Sequence, residues 1–258
     1  MLTGIAFFNA EQVAACIGNL ISFTDLRVYY KFNNNVNDAS GRSINATATN
    51  LDYGTGPYID FLQSASIRRA ADGSATGSQI YIENSSFTQS GTSVPFTVSC
   101  WINARNLPAT NTLMGIASKY TIGSPSGGWD FRLYNNAGTQ TVQFLFSNSN
   151  NAAGNRDSIA TYTASIATNT WHHMLGLYDG TKCYIYFNGS IVATAASNCT
   201  NVLSTTRRQT IGYADIGNSP NNQIRYLDGQ IDDFNIFWRA LSTSEISTLA
   251  SGPCPLNT

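Results

Sequence analysis

The feature that most constrains this chain is a run near its C-terminus, residues 227–246, with the sequence LDGQIDDFNIFWRALSTSEI. Asp228 and Gly229 predict a hairpin turn, because glycine tolerates positive φ. In a strand after this turn, successive side chains point to opposite faces. One face is then predicted to carry an aspartate beside three large apolar side chains: Asp232, Phe234, Ile236 and Trp238.

A short helix is predicted directly after this strand. Ser242 and Glu245 have the spacing of a capping box, in which the serine hydroxyl and the glutamate carboxylate each satisfy a free backbone N–H. Gly252 and Pro253 are expected to end the helix. The chain is therefore predicted to finish with a strand followed by a helix.

Four further segments show strand and turn patterns, and their order along the chain is informative. They are VYYKFNNNVNDASGRSINAT at Val28 to Thr47, PFTVSCWINA at Pro95 to Ala104, WHHMLGLYDG at Trp171 to Gly180, and KCYIYFNGSIVATA at Lys182 to Ala195. With the C-terminal run they resemble the motifs of the laminin G-like, or concanavalin A-like, jelly-roll domains, over roughly residues 26–250. An ordered series of motifs is more specific than any single match.

The resemblance implies an all-β fold, a two-sheet antiparallel jelly-roll sandwich with a short C-terminal helix. We expect residues 26–258 to form this domain and residues 1–25 to form an N-terminal extension. A length of 258 residues is usual for one all-β sandwich. The family includes glycan-binding modules, adhesion domains and virion proteins, so the fold does not decide the function.

Charge and hydropathy argue against two kinds of partner. Charged residues make up 11% of the chain and the formal net charge is −1, so we expect no nucleic-acid partner. No run approaches the roughly 20 apolar residues that a membrane-spanning helix needs. The first residues, MLTGIAFFNAEQVAAC, lack the basic start and continuous apolar stretch of a signal peptide, which predicts an unexported protein.

The acids and histidines do not predict catalysis. β-Glucanases of this superfamily hydrolyse glycosidic bonds with two carboxylates held about 5 Å apart. The glutamates of this chain lie far apart in sequence: Glu11, Glu83 and Glu245. Neighbouring strand residues point to opposite faces, so neither Asp232 with Asp233 nor His172 with His173 can act on one atom together. We therefore expect a non-catalytic protein.

The cysteines are predicted to be free thiols. They number five and show no metal-ligand spacing. Cys100 and Cys183 fall inside predicted strands, where a thiol behaves as a small buried hydrophobe. A hairpin turn at Asn188-Gly189 would place Cys183 opposite Thr194, so a bridge from Cys183 to Cys199 would require the chain to curl back.

Asp232 is the candidate ligand of a structural Ca²⁺. An ionised carboxylate on an apolar face is costly unless it is paired or coordinated. Members of the family often bind Ca²⁺ through the aspartate at this strand position and oxygens of the opening loop, so the resemblance implies a site formed by Asp232, Asn33 and Asp38. The alternative is that Asp232 accepts hydrogen bonds without a metal.

Glycan binding would require exposed aromatic rings with polar groups beside them. Trp101 alternates away from the apolar residues of its strand, and Trp129 and Tyr134 border loops rich in glycine and asparagine. These three residues are therefore candidates for a glycan-binding surface. The alternative is that each tryptophan closes one edge of the hydrophobic core.

The apolar residues Ile5, Phe7 and Phe8 precede the jelly roll and have no place in its alternation. They are expected either to pack on their own domain or to bind another subunit. We predict an attachment protein, a bacteriophage virion component such as a capsid decoration (cement) or tail-associated protein, with residues 1–25 buried against other virion subunits or further copies of the chain in a homo-oligomer. The alternative is a Ca²⁺-assisted, lectin-like carbohydrate-binding module.

Overall fold

The structure is a computed structural model that describes residues 21–22, 24–57, 63–67, 77–83, 95–121, 127–147, 158–163, 165–196, 207–215 and 224–252. Within these ranges the chain forms seventeen strands and one helix. They are β1 (Leu26–Tyr30), β2 (Thr47–Thr49), β3 (Asp52–Gly54), β4 (Ser64–Ile67), β5 (Gln79–Ile82), β6 (Phe96–Ala104), β7 (Leu113–Thr121), β8 (Gly127–Asn136), β9 (Thr139–Ser147), β10 (Ser158–Thr163), β11 (Trp171–Tyr178), β12 (Lys182–Phe187), β13 (Ser190–Ala196), β14 (Gln209–Ile211), β15 (Tyr213–Asp215), β16 (Ile224–Tyr226), β17 (Gly229–Phe237) and α1 (Thr243–Ala250).

The strands form two large antiparallel sheets and one small one. The eight-stranded sheet has the order β13-β12-β11-β6-β17-β4-β3, with β1 also paired to β17. The seven-stranded sheet has the order β10-β9-β8-β7-β14-β5-β2, and β15 pairs with β16 alone. This architecture confirms the two-sheet antiparallel jelly roll predicted from the sequence.

The main hydrophobic core lies between the two large sheets. Alternate residues of β6 contribute to it, among them Phe96 and Ile102, because side chains alternate across a strand. At its centre the ring of Phe96 lies 4.9 Å from that of Trp129 and 5.3 Å from that of Phe146, which stacks at 4.7 Å on Tyr178. Each such buried side chain contributes about 1.5–3 kcal/mol.

Strand β17 does not keep the predicted alternation. A β-bulge interrupts its pairing with β6 just after Asp232, and Asp233 has a φ of 49°. Because of the extra residue, Ile231 and Phe234 both face the main core, while Asp232 lies opposite Trp101 on the outer face. The prediction that Asp232 shares a face with the large apolar residues of its strand is therefore wrong.

Asp228 and Gly229 bend the chain without forming a hairpin. β16 pairs with β15, whereas β17 pairs with β4 and β6, so the predicted hairpin turn is wrong. A Cβ at Gly229 would overlap the carbonyl oxygen of Asn103. The glycine is required by the close approach of β17 to β6 rather than by a positive φ.

The predicted hairpin turn at Asn188-Gly189 is confirmed, since it connects β12 to β13. Ala137 and Gly138 connect β8 to β9 in the same way, and all four residues have positive φ. A bulge in the β12–β13 hairpin places Cys183 opposite Ala195 instead of Thr194.

Cys100 and Cys183 are buried free thiols, as predicted. The other three cysteines, Cys16, Cys199 and Cys254, lie outside the described residues. The prediction that they are unpaired therefore stays a prediction.

Helix α1 begins with the predicted capping box, in which Ser242 N donates to Glu245 Oε2 at 2.9 Å and Glu245 N donates to the Ser242 hydroxyl. Arg239 also donates to the Glu245 carboxylate, at 2.6 and 2.9 Å, and together with the cap holds the pKa of Glu245 to about 2. Ile246 and Leu249 pack on the outer face of the eight-stranded sheet. The helix therefore covers part of that face.

No helix in the described part of the chain has the length and apolar character needed to cross a membrane.

A buried ion pair lies on the face of the seven-stranded sheet that points away from the main core. Arg132 Nη1 is 3.0 Å from Asp130 Oδ2, and the two side chains are 3% and 0% exposed. Arg132 also donates to Gln143 Oε1 at 3.0 and 2.8 Å. Removing one member of a buried pair leaves the other charge without its partner, which is strongly destabilising.

Arg132→Met is expected to lower the free energy of unfolding by about 3–5 kcal/mol, because it removes the guanidinium from a fully buried carboxylate. Arg208→Met is the matched control, since the Arg208–Glu83 pair is 3.2 Å apart but its side chains are 50% and 49% exposed. The control should lose less than about 1 kcal/mol. Urea denaturation of both variants tests this, and equal losses would contradict it.

Candidate ligand-binding site

A pocket of about 270 Å³ opens at one edge of the sandwich, where the β6–β7 loop meets β16 and the residues just before β17. We call it the edge pocket. Its wall combines amide, hydroxyl, guanidinium and carboxylate groups with apolar surface, supplied by Asn106, Thr112, Arg225, Asp228, Leu113 and Tyr226 among others. Ligand pockets typically enclose about 300–1,000 Å³ and place a few polar groups on an apolar wall. The edge pocket therefore suits a small ligand with several polar groups.

Asp228 connects two sides of the edge pocket. Its carboxylate accepts hydrogen bonds from Arg105 Nε at 3.1 Å and from Asn106 Nδ2 at 2.6 Å. Its main-chain oxygen accepts from Arg105 N at 2.8 Å. Arg105 in turn donates to the main-chain oxygen of Ile67 at 2.6 Å. Because its carboxylate is already hydrogen-bonded within the protein, Asp228 positions the wall.

The β8–β9 hairpin holds the other side of the β6–β7 loop. Asn135 Nδ2 and Gln140 Nε2 donate to the main-chain oxygen of Pro108 at 3.0 and 3.1 Å. Asn135 N donates to Thr112 O at 3.0 Å, and the Thr112 hydroxyl donates to Ala109 O at 2.7 Å. These bonds order the loop before any ligand arrives, which reduces the entropy lost on binding.

Tyr226 forms a buried part of the wall and is 5% exposed. Its hydroxyl accepts a hydrogen bond from Gln79 Nε2 at 3.1 Å, and its ring lies 5.8 Å from that of Tyr213. β15 approaches β7 closely because residue 115 is glycine, where a Cβ would overlap the main-chain nitrogen of Ala214. The tyrosine ring is therefore held in one orientation.

The arrangement of the edge pocket supports binding. Its donors and acceptors lie beside apolar surface, which is the chemistry that recognises a hydroxyl-rich ligand. Asp228 is the single carboxylate among the lining residues. Hydrolysis of a glycosidic bond uses two carboxylates about 5–9.5 Å apart, and this wall supplies no such pair.

One of the three predicted glycan-binding residues lies beside the edge pocket. Tyr134 is half-buried and lies directly opposite Leu113 of the pocket wall in the pairing of β7 with β8. Trp129 is 1% exposed and belongs to the main core. Trp101 is 6% exposed and lies on the other sheet. Neither tryptophan offers an exposed ring face to a sugar, so both depart from the predicted platform.

Asn106, Arg225 and Asp228 lie in no local sequence pattern that marks them as ligand-binding residues. The Asp228-Gly229 pair predicts a turn, but its sequence does not indicate that Asp228 forms part of a pocket wall. The pocket forms because residues 106–114 and 225–228 come together in space. No pattern within a single segment of the sequence shows that these two segments lie side by side.

A second polar cluster lies on the outer face of the eight-stranded sheet. The strand register places Asp232, Trp101 and His173 side by side across β17, β6 and β11. Asp232 Oδ1 accepts from Asp233 N at 2.9 Å, and Ser99 Oγ is hydrogen-bonded to His173 Nε2 at 2.8 Å. We call these five residues the outer-face cluster, and all five are buried.

Burial determines the protonation of the outer-face cluster. It raises the pKa of Asp232 to about 9, with a smaller contribution from the charge on Asp233, whose own pKa burial raises to about 6. Burial lowers the pKa of His173 to about 3. At neutral pH Asp232 is therefore protonated and His173 is neutral. Ser99 and His173 are each 1% exposed, so their hydrogen bond is inaccessible to a substrate.

The predicted calcium ligands Asp38, Asp232 and Asn33 each accept hydrogen bonds from the protein, and their binding of one Ca²⁺ stays a prediction. Asp38 lies at the edge of β1 away from β17, where its carboxylate accepts from Tyr29 N, Ser40 N, the Ser40 hydroxyl and Ile44 N at 2.8–3.0 Å. Asp232 belongs to the outer-face cluster on β17. The main-chain oxygen of Asn33 accepts from Asn35 Nδ2 at 2.7 Å. Within the described ranges, no three His, Cys, Asp or Glu residues come together as a metal site would require.

The predicted anchoring residues Ile5, Phe7 and Phe8 lie outside the described residues. The nearest described residues are joined to the domain, since Arg239 donates to Ser22 O at 2.8 Å and to Thr24 O at 3.0 Å. The role of residues 1–25 in binding other subunits therefore stays a prediction.

Comparison with protein families identifies one match. The model of Laminin_G_3, described as the concanavalin A-like lectin/glucanases superfamily, matches residues 72–247, which is more than half of the chain. The comparison with curated proteins finds no match.

Solved structures similar to this chain include two binding domains and one domain of an arabinanase. The binding domain of Paraclostridial Mosquitocidal Protein 1 has a TM-score of 0.63 at 18% identity, over 88% of this chain and 52% of that one. The binding domain of Botulinum Neurotoxin DC in complex with SialylT has a TM-score of 0.60 at 17% identity, over 89% and 52%. Domain 4 of AbnA, an extracellular GH43 arabinanase from Geobacillus stearothermophilus, in complex with arabinotriose, has a TM-score of 0.54 at 18% identity, over 88% and 98%. The chain thus spans about half the length of the toxin binding domains.

We expect the chelator EDTA to leave the melting temperature of the protein unchanged. The carboxylate of Asp38 already accepts four hydrogen bonds inside its loop, which occupy the lone pairs that a Ca²⁺ ion would need. Differential scanning calorimetry with and without EDTA, and with added Ca²⁺, measures this. A lower melting temperature in EDTA that Ca²⁺ restores would instead support the calcium site.

Asp232→Asn should become more stabilising, relative to the wild type, as the pH rises from 7 to 9. Between pH 3.8 and about 9 the folded state holds a proton on Asp232 that the unfolded chain has released, so wild-type stability falls with rising pH. The amide removes this penalty and still accepts the Asp233 N–H. The gain should approach about 1.4 kcal/mol per pH unit.

Denaturation of the wild type and of Asp232→Asn at several pH values measures the difference in their free energies of unfolding. The contributions of the other titrating groups are the same in both proteins and largely cancel. Asp52→Asn, at an exposed position, is the matched control. A difference between Asp232→Asn and wild type that is independent of pH would show that Asp232 does not titrate as its burial requires.

Proposed function

The chain belongs to the concanavalin A-like lectin/glucanase superfamily, and on this premise we propose that it is a non-catalytic carbohydrate-binding module whose ligand site is the edge pocket. The observation that carries the proposal is the composition of the pocket wall. Asn106, Thr112 and Arg225 supply polar groups beside the half-buried apolar side chains of Leu107 and Leu113. This combination suits a sugar, which has both hydroxyl groups and apolar ring faces.

The pocket wall is ordered in a way that favours binding. Asp228 holds Asn106 from one side, and Asn135 holds Thr112 from the other. A wall held by such bonds loses little conformational entropy when a ligand binds. The volume of about 270 Å³ suits a single sugar unit, with further units extending over the half-buried ring of Tyr134.

Similar structures support a sugar ligand. The arabinanase domain is matched over nearly its whole length and was solved with arabinotriose. One toxin binding domain was solved with SialylT, although this chain spans only about half of that protein. TM-scores of 0.60 and 0.54 at 17% and 18% identity establish a common fold alone, so the sugar specificity of this chain is part of the proposal.

The carbohydrate-binding module has more support than the virion component. The similar structures reported above are two binding domains, one of them solved with SialylT, and an arabinanase domain solved with arabinotriose. The residues proposed to anchor the protein in a particle, Ile5, Phe7 and Phe8, lie outside the described residues. A virion role and a homo-oligomer remain predictions from the sequence.

Leu113→Trp should weaken saccharide binding at least about ten-fold, because the larger ring fills the edge pocket without removing the bonds that order its wall. A glycan array identifies the saccharides that bind, with arabinotriose included as the first probe. Isothermal titration calorimetry then compares the wild type, Leu113→Trp and Arg225→Gln.

Lys182→Ala is the control, since Lys182 is exposed on β12, far from the pocket in the sheet order. It should bind as the wild type does. Thermal denaturation verifies that every variant is folded. If no saccharide binds, the proposed function is wrong, and if Leu113→Trp binds normally, the edge pocket is not the site.

A further inference from the structure

An open concavity of about 710 Å³ lies beside β1 and is lined by Arg27, Gly41, Arg42, Ser43, Ile44 and Asn45. We call it the basic concavity. Two of its six lining residues are arginines and none is acidic. In a chain with a net charge of −1 this is a local excess of positive charge.

The loop that forms the basic concavity is ordered by hydrogen bonds. Asp38 accepts from Tyr29 N at 3.0 Å and from Ile44 N at 3.0 Å, which holds both ends of the loop against β1. Asp38 N donates to Asn45 Oδ1 at 2.9 Å. The Tyr30 hydroxyl donates to Ile44 O at 2.6 Å. The concavity is therefore a built surface rather than a gap beside a loosely held loop.

Both arginine side chains are held in place. Arg42 Nε donates to Leu26 O at 2.6 Å, and Arg42 has no ion-pair partner among the described residues. The guanidinium of Arg27 lies 4.3 Å from the ring centre of Trp238, within the range of a cation–π contact. A fixed, planar guanidinium has the geometry that binds an oxyanion through paired hydrogen bonds.

The charges of the two arginines oppose each other. Burial lowers the pKa of Arg27, and the charge on Arg42 lowers it further. Asp38 partly offsets this effect, but its carboxylate oxygens already accept four hydrogen bonds within the loop. An anion bound between the two guanidinium groups would relieve their repulsion.

We propose that the basic concavity binds the carboxylate or sulfate group of an acidic sugar. Arg27 and Arg42 would bind the oxyanion, and Ser43 and Asn45 would contact the hydroxyl groups of the same sugar. One pair of arginines suits a single oxyanion, whereas a polyanion such as nucleic acid requires a longer basic stripe. Gly41 leaves open space above its backbone, so a sugar ring can approach closely.

This site is separate from the edge pocket and does not rest on the proposed function. Titration calorimetry with 3′-sialyllactose, neutral lactose and inorganic sulfate tests it. We expect sialyllactose to bind more tightly than lactose and its affinity to fall as salt is added. Arg42→Gln should weaken sialyllactose binding about ten-fold or more, while Arg42→Lys should retain part of it.

Lys182→Gln removes an exposed positive charge elsewhere and is the matched control for Arg42→Gln. It should leave sialyllactose binding unchanged. Equal binding of lactose and sialyllactose, binding of inorganic sulfate alone, or sialyllactose binding that Arg42→Gln does not change would each overturn the proposal. Leu113→Trp, which fills the edge pocket, should not affect this binding, so failures of the two sites can be distinguished.

Discussion

The pairing of β6 with β17 is the contact on which the rest of this structure depends. These two strands lie at the centre of the eight-stranded sheet, between β11 on one side and β4 and β1 on the other. Their register places Ile231 and Phe234 in the main core. The bulge that makes this possible also places Asp232 opposite Trp101 on the outer face. Just before β17, Asp228 holds the loop that follows β6. One strand pair therefore sets the core, the outer-face cluster and a wall of the edge pocket.

The outer faces of both sheets carry buried charged or titratable groups, and the two faces satisfy them differently. On the seven-stranded sheet, Asp130 lies 3.0 Å from the guanidinium of Arg132 and forms a buried ion pair with it. On the eight-stranded sheet, Asp232 forms no ion pair with any residue that the structure describes, and it is neutral at pH 7 because burial raises its pKa to about 9. A buried carboxyl group either finds a counter-charge or keeps its proton. Both solutions add rigidity and neither exposes a reactive group.

The candidate binding sites differ from these clusters because they are open to solvent. Each is built around one aspartate whose carboxylate is used internally, Asp228 at the edge pocket and Asp38 at the basic concavity. In both places the aspartate orders a loop, and the loop then presents other side chains. In each place the acid positions the surface through hydrogen bonds to the loop.

The elements that the sequence predicted are those that depend on neighbouring residues. The strands β6, β11 and β12, the turn at Gly189 and the capping box of α1 follow from alternation, positive φ and reciprocal hydrogen bonds within one turn of helix. The order of these motifs along the chain resembles that of the jelly-roll family, and this resemblance predicted the two-sheet sandwich correctly. Tertiary structure decided what depends on distant pairing: the bulge that moved Asp232 to the outer face, the burial of Trp129, and the meeting of residues 106–114 with residues 225–228 at the edge pocket. Alternation along a strand shows that two sets of side chains face opposite ways, but only the register with a neighbouring strand determines which set is covered and what lies beside it.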